Sequence, residues 1–567
     1  MAMLEHSPST TTNTNSEERG AVFTRPEVVD FILDLAGYQV AKPLHEQRIL
    51  EPSSGHGEFL SAMIQRLLTS YRKQGGTPAR AKRELAECVR AVEVDRDSFA
   101  QTRMRLVGQL RRHELPPATA EALADQWLVP GDFLRVELPG QFDYVIGNPP
   151  YVRQELIPDK LLAEYRRRYT TLYNRADLYV PFIERGLRLL SPQGKLGYIC
   201  SDRWMKCAYG KPLRALVAQD YHLDVFVDMV DTPAFQSEVV AYPAITILSR
   251  QYPGRPTTTR IAKKPAIDAS SLSELAHALT VQRPVHPPRI SAVRELDRVV
   301  QNHQPWLFDG SEQLDLVRRL EAQFPSIEEA GCKVGIGVAT GADRVFIRDY
   351  ESLAVEPSRK LPLVMADDMR SGRIVWSGKG VLNPFERDGG VAELDKYPRF
   401  ARYIHEHEGI LKARNVAGRS GDKWYRTIDR IWHDLTKTPK LLIPDIKGDA
   451  NVVFDKGEFY PHHNLYWVTS DTWDLKALQA VLRSNIARMF VASYCVKMAH
   501  GFLRFQAQYI RRIRLPQWDQ VTSSQRLELK AAAASLEQAA IDRAAAAVYG
   551  LNHKVVQGNV RLNAATG

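Results

Sequence analysis

A chain of 567 residues is longer than one hydrophobic core usually supports, so two or three domains are expected. Hydrophobic residues at 44% and charged residues at 25% describe an ordinary globular protein. No apolar run of about eighteen residues suggests a membrane span, and no apolar N-terminal core suggests a secretion signal. The 76 Lys and Arg outnumber the 66 Asp and Glu, a net charge of +10 compatible with a polyanionic partner. Five cysteines, Cys88, Cys200, Cys207, Cys332 and Cys495, lack CxxC spacing and read as reduced structural thiols of a cytoplasmic protein.

Residues 1–20 are rich in Ser, Thr and Asn, a composition that cannot build a core, and a disordered arm is expected there. Over 21–250, strands and helices alternate. RIL (48–50), CVRAVEV (88–94), FDYVIG (142–147), KLGYIC (195–200), LDVFVDMV (223–230) and AITIL (244–248) read as strands. Leu60, Met63, Ile64, Leu67, Leu68 and Tyr71 fall at helical spacing and mark one buried face between the first two strands. Such alternation predicts an α/β, Rossmann-like domain with a mostly parallel sheet. Repeated Pro and Thr over 251–305 suggest a connector, 306–520 a second globular region, and 521–567 a helix followed by a polar tail. No internal repeat is evident.

The candidate site residues lie at the ends of these strands. In FTRPEVVDFIL, Thr24 and Glu27 have capping-box spacing, with Pro26 in the first helical turn. In ILEPSSGHGEFL (49–60), a strand ends in Glu51-Pro52, and Gly55 and Gly57 allow a tight turn into a helix, close enough for a ligand to approach the backbone. The pattern departs from G-x-G-x-x-G, since Phe59-Leu60 stand where a third glycine would be. The next strand ends at Glu93, where nucleoside-binding sheets place an acid that accepts bonds from ribose hydroxyls. Its 42-residue distance from Glu51 is long, and the basic stretch 71–87 reads as an insertion. GDFL (131–134) offers Asp132 as an acceptor for an adenine amine.

The strand FDYVIG runs directly into Asn148-Pro149-Pro150-Tyr151. Two prolines remove backbone donors and stiffen the turn, which leaves carbonyls to face a ligand. An exocyclic amine is a poor nucleophile because its lone pair is delocalised into the ring. The Asn148 side-chain oxygen and the Pro149 carbonyl can accept its two hydrogens, pull the nitrogen toward tetrahedral geometry and free the lone pair for in-line attack on a sulfonium methyl. Tyr151 would stack on the base, a contact worth about 1–3 kcal/mol.

With these motifs in this order, residues 21–250 resemble the TaqI-like, gamma-class adenine-N6 DNA methyltransferases of restriction–modification systems; NRADLYVPFIERGLRLLSPQGKLGYI (174–199) is also similar. The resemblance implies S-adenosylmethionine as cofactor, held by Thr24, Glu51, Pro52, Gly55, Gly57, Glu93, Asp132 and Phe133. It implies a flipped adenine held by Asn148, Pro149, Pro150 and Tyr151, with Phe235 stacking on the other face. Extruding a base costs a few kcal/mol, which such a sandwich would offset.

It also implies that the region from about 306 onward is an α+β target-recognition domain for double-stranded DNA. Basic and aromatic groups gather in GIGVATGADRVFI (335–347), KWYRTIDRIW (423–432), PDIKGD (444–449) and GFLRFQAQYIRRIRLP (501–516). Arg153, Arg504, Arg511, Arg512 and Arg514 are candidate DNA contacts, to phosphates or guanines. The alternating arginines of RRIRLP equally fit a strand with one solvated face. His462-His463 has no Cys or carboxylate at ligand spacing, so no metal is expected. The short N-terminal arm leaves no room for a nuclease, so a separate cognate restriction endonuclease and a monomeric bacterial methyltransferase are expected. Two other readings remain: a methyltransferase acting on an RNA base or a protein glutamine amide, where NPPY meets the same chemical problem, or a catalytically silent DNA-specificity subunit.

Overall fold

The computed structural model describes residues 23–236, 243–251, 258–263, 265–280, 293–297, 299–300, 302–306, 308, 311–418, 420–447, 451–495, 503–535 and 537–552. The arm expected over 1–20 and the tail after 552 lie outside the described residues. The chain divides into two compact units, Met1–Phe308 and Asp309–Gly567. Among the described residues no helix is long and apolar enough to cross a membrane.

The first unit is built on one nine-stranded sheet in the order β3-β2-β1-β4-β5-β7-β6-β8-β9. Its strands are β1 (Ile49–Glu51), β2 (Val89–Glu93), β3 (Leu128–Pro130), β4 (Phe142–Gly147), β5 (Leu190–Ser201), β6 (Tyr221–Asp228), β7 (Pro243–Arg250), β8 (Thr258–Lys263) and β9 (Arg294–Asp297). β1 pairs in parallel with β2 on one side and β4 on the other, while β7 runs antiparallel to β5 and β6. The chain thus winds outward from β1 to β3 and returns to start the other half at β4. In open α/β sheets, ligands bind beyond the carboxyl ends of the strands at such a reversal.

Two helices fix the strands that matter. α1 (Pro26–Ala36) buries Val28, Val29, Phe31, Ile32, Leu33 and Leu35, and ends at Gly37, whose φ of 83° closes the turn. α2 (Glu58–Lys73) follows β1 and buries Leu60, Met63, Ile64, Leu67, Leu68 and Tyr71, the face its spacing predicts. Burying side chains of this size contributes about 1.5–3 kcal/mol each before entropy is charged. All five cysteines are free and buried.

Three features differ from the sequence reading. Residues 258–263 and 294–297 are not connector but extend the main sheet. Thr is β-branched and pairs well in strands, so Thr/Pro composition alone misleads. β3 is three residues long, too short to show alternation. Thr24 forms no capping box: the residue preceding α1 is Arg25, no side chain caps it, and Thr24 is one residue further back.

The second unit is α+β. One antiparallel sheet has the order β10-β18-β14-β16, formed by Cys332–Ile336, Leu465–Ser470, Lys440–Pro444 and Val453–Asp455. A mixed sheet has the order β11-β13-β12-β17, from Ile347–Asp349, Lys379–Leu382, Lys360–Val364 and Tyr460–Pro461, with β12 and β17 parallel, and β15 (Ile446–Lys447) pairs with β19 (Leu503–Arg504). The helix Leu475–Arg483 packs on the first sheet and against the helices Asn485–Tyr494, Ser523–Ser535 and Gln538–Val548, so the C-terminal helical segment belongs to this unit.

Candidate active site

The loops after β1, β2 and β4 carry the expected residues to the reversal point. After β1, Gly55 and Gly57 take φ values of 51° and 86°, a conformation that a side chain would strain. A Cβ on Gly57 would also stand 3.2 Å from the Thr102 side chain. Thr102 donates its hydroxyl to the Gly55 carbonyl at 2.9 Å, and Ser54 N–H bonds the Val92 carbonyl, so the loop is held from beneath.

Glu93, at the end of β2, is buried rather than solvated. Its two carboxylate oxygens accept the N–H groups of Gly55 (2.7 Å) and Asp95 (2.8 Å), which couples the first loop to the second. Glu51 is almost wholly buried, and its Oε2 has no hydrogen-bond partner among the described residues. Burial pushes its carboxyl well above the usual range, with Glu58 and Glu93 adding to the effect. Ser54 Oγ is likewise buried without a partner among the described residues. A polar group left so costs about 1–3 kcal/mol, so two in one loop point to a ligand with donors.

Gly147 ends β4, and a Cβ there would lie 3.2 Å from the Pro52 ring, so glycine lets the Glu51-Pro52 and Asn148-Pro149 loops touch. Asn148 Nδ2 donates to the Thr24 hydroxyl at 3.3 Å, which sets the rotation of the amide. Thr24 also pairs with Phe235 in an isolated antiparallel bridge, supported by Gln236 N–H to the Phe23 carbonyl and Arg25 N–H to the Ala234 carbonyl. Residues 124 and 211 positions away from Thr24 thus converge on it. The Tyr151 ring packs against a core cluster, 6.4 Å from Tyr179 between centroids, and burial raises its phenol far above the usual value. A phenol held neutral in this way is no general base; its ring is what it offers.

Other expected residues already have partners within the protein. Asp132 accepts Leu134 N–H at 2.9 Å and the Tyr165 hydroxyl at 2.8 Å, so each oxygen has one partner before any adenine arrives. Phe133 lies in the core against Phe182, with the Arg185 guanidinium over its ring. Phe235 is also buried in a core cluster. Arg153 is exposed two residues after Tyr151. In the second unit, Arg504 pairs with Asp445, Arg511 with Glu328 at 2.9 Å and Arg514 with Glu329 at 3.6 Å, while Arg512 lies over the Tyr494 ring. Those four are engaged within the protein, which the alternating pattern did not reveal. Sequence reading also missed Tyr165, Ser54 and the Phe23–His56 ring stack over the glycine loop (centroids 4.5 Å apart). Of these only Tyr165 stands outside the motifs; Ser54 and His56 lie within ILEPSSGHGEFL and Phe23 within FTRPEVVDFIL, whose glycines and Thr24 carried the reading.

Residues 88–235 match the model of the Eco57I restriction-modification methylase family, and 393–515 that of the TaqI-like C-terminal specificity domain. The chain is 56% identical to the type II methyltransferase M.PaeR7I of Pseudomonas aeruginosa, over 95% of this chain and 93% of that one. It is 52% identical to M.XhoI of Xanthomonas vasicola, over 94% and 98%. Among solved structures, the type IIL restriction-modification enzyme MmeI in complex with DNA shares the fold, with a TM-score of 0.58 at 11% identity over 90% of this chain and 71% of that one. Loops poised at a sheet reversal, and similarity across nearly the whole length, lead to one conclusion: the chain belongs to the type II DNA methyltransferases of restriction–modification systems.

Proposed function

We propose that the protein methylates the N6 amine of adenine in double-stranded DNA, with the target base flipped out of the helix, and so protects its sites from a cognate restriction endonuclease. The observation that carries this reading is the NPPY loop at the end of β4, with Asn148 oriented by Thr24. S-adenosylmethionine is the cofactor of this family, and the residues present fit it: Glu51 Oε2 and Ser54 Oγ are buried acceptors in want of donors, and Glu93 closes the loop they stand on. When bound it supplies an electrophilic sulfonium methyl.

The chain's own residues supply the rest. Thr24 holds the Asn148 amide so that its oxygen and the Pro149 carbonyl can accept the two amine hydrogens. Pro149 and Pro150 keep that geometry at the end of a rigid strand. Tyr151 offers a ring face, and Phe235, on the segment bridged to Thr24, offers the other wall. Since the amine proton becomes acidic once the methyl is attached, no strong base is required.

The test is transfer of labelled methyl from S-adenosylmethionine to unmethylated genomic DNA, RNA and total protein in parallel, followed by nucleoside analysis. N6-methyladenine in DNA alone is expected. N4-methylcytosine, whose amine presents the same problem, or label confined to RNA or protein would overturn the proposed acceptor.

A further inference from the structure

The second unit brings Asp343 to the adjacent pair His462-His463, although 119 positions separate Asp343 from His462. Asp343, His462 and His463 each offer one ligand atom, and these lie within 4.8 Å of one another. We infer that they form a binding site for one divalent transition-metal ion of the zinc type, pinning the 337–346 segment to the turn between β17 and β18. Two observations support it. First, the Nδ1 atom of His463 is buried and has no hydrogen-bond partner among the described residues. An imidazole nitrogen shut away from water without a partner is costly, and an ion met by His463 through Nδ1 and by His462 through Nε2 would be that partner. Second, His462 Nε2 stands 3.5 Å from Asp343 Oδ2. That is long for a strong charge-assisted bond, and close to the separation of about 3.4 Å between two ligands on one tetrahedral zinc ion.

The backbone holds the three groups in place before any ion arrives. Val338 N–H bonds the Pro461 carbonyl at 3.0 Å, His463 N–H the Val338 carbonyl at 3.1 Å, and Gly337 N–H the Leu465 carbonyl at 2.9 Å. Only glycine fits at 337, where a Cβ would fall 2.1 Å from the His462 carbonyl oxygen. The Thr340 hydroxyl bonds Asp343 Oδ1, which leaves Oδ2 turned to His462. His462 is buried while Asp343 is half exposed, so the ion would sit at the surface with room for water as a fourth ligand. Closing the widest separation to ligand spacing takes side-chain movement of about 1 Å. Two imidazoles and a carboxylate favour zinc over magnesium or calcium, which prefer oxygen ligands alone.

The test uses tag-free, full-length protein stripped with a chelator. Zn²⁺ is titrated by calorimetry and Co²⁺ by its visible absorption, for the wild type, Asp343→Asn and His463→Gln. One ion per chain is expected, with affinity at least about 10-fold weaker in each variant and unchanged circular dichroism. Zn²⁺ should also raise the unfolding midpoint of the wild type and not of the variants. No stoichiometric binding, or binding equally tight in both variants, would overturn the site.

Discussion

At the end of β1 and in the loop that follows it, the catalytic unit buries Glu51 Oε2 and Ser54 Oγ without partners among the described residues. In the specificity unit, Arg504, Arg511 and Arg514 are spent on Asp445, Glu328 and Glu329 instead. The first arrangement leaves bonding capacity unsatisfied at some cost in stability. The second commits those three cations to carboxylates within the protein. Polar groups that look alike in a sequence therefore differ in function according to whether the fold has already paired them.

The sharpest way to break this comparison is at Asn148. If the catalytic unit keeps its bonding capacity for a reacting amine, Asn148→Ala lowers methyl transfer by about 10³-fold or more and leaves cofactor affinity nearly unchanged. Single-turnover methylation and calorimetry of S-adenosylmethionine binding measure the two quantities. Loss of binding with turnover intact would reassign the residue to the cofactor.

The specificity unit has a converse test. Lys440 and Asp455 are fully buried, 2.7 Å apart, and Lys440 Nζ also donates to the carbonyls of Leu435 and Thr438. Lys440→Met leaves the carboxylate shut in without its cation, which costs about 3–5 kcal/mol. The midpoint of this unit in thermal unfolding should fall by on the order of 10 °C. A shift of only a degree or two would mean that the pair is solvated in solution.

Glu51 joins the two themes. Its raised folded pKa means that the stability it contributes is complete below the ordinary carboxyl range and is lost as pH rises through the raised value. Without cofactor, Glu51→Gln should thus unfold at a higher temperature than the wild type near neutral pH, the difference vanishing in acid. With cofactor the order reverses, since affinity drops by roughly 10–100-fold when the charged acceptor is removed. Apo stability equal to the wild type at every pH would show that the buried carboxylate carries no cost.

The catalytic unit was the more legible half because its candidate site lies on loops at strand ends. There a strand such as FDYVIG and the residues that follow it, Asn148 to Tyr151, are contiguous in the chain. Its nine-stranded extent was not legible, since β8 and β9 lie in a Pro/Thr-rich stretch without clear alternation. Glu93 was legible as an acid at a strand end, while its two backbone donors come from a turn 38 residues earlier and from its own near neighbour. Asp343 beside His462 was invisible, because no local spacing links them and the sheets of the second unit alone bring them together. The ion pairs of Arg504 and Arg511 reach 59 and 183 positions along the chain, so RRIRLP read in isolation left a DNA contact and a solvated face equally open.

The smallest effect is expected at Arg511. Its guanidinium bonds Glu328 at 2.9 Å and the Val334 carbonyl at 2.6 Å, and both partners of the ion pair are partly exposed. Such a pair contributes about 0–1 kcal/mol to stability, so Arg511→Gln should fold normally. DNA affinity measured across a range of salt concentrations gives a slope that reports how many phosphates the protein neutralises, and removing the cation from one phosphate lowers it by about one unit. With Arg511 committed to Glu328, the variant should keep the wild-type slope. A reduction by one unit would mean that DNA draws the side chain away from its carboxylate, and the specificity unit would then hold its cations in reserve as the catalytic unit holds its acceptors.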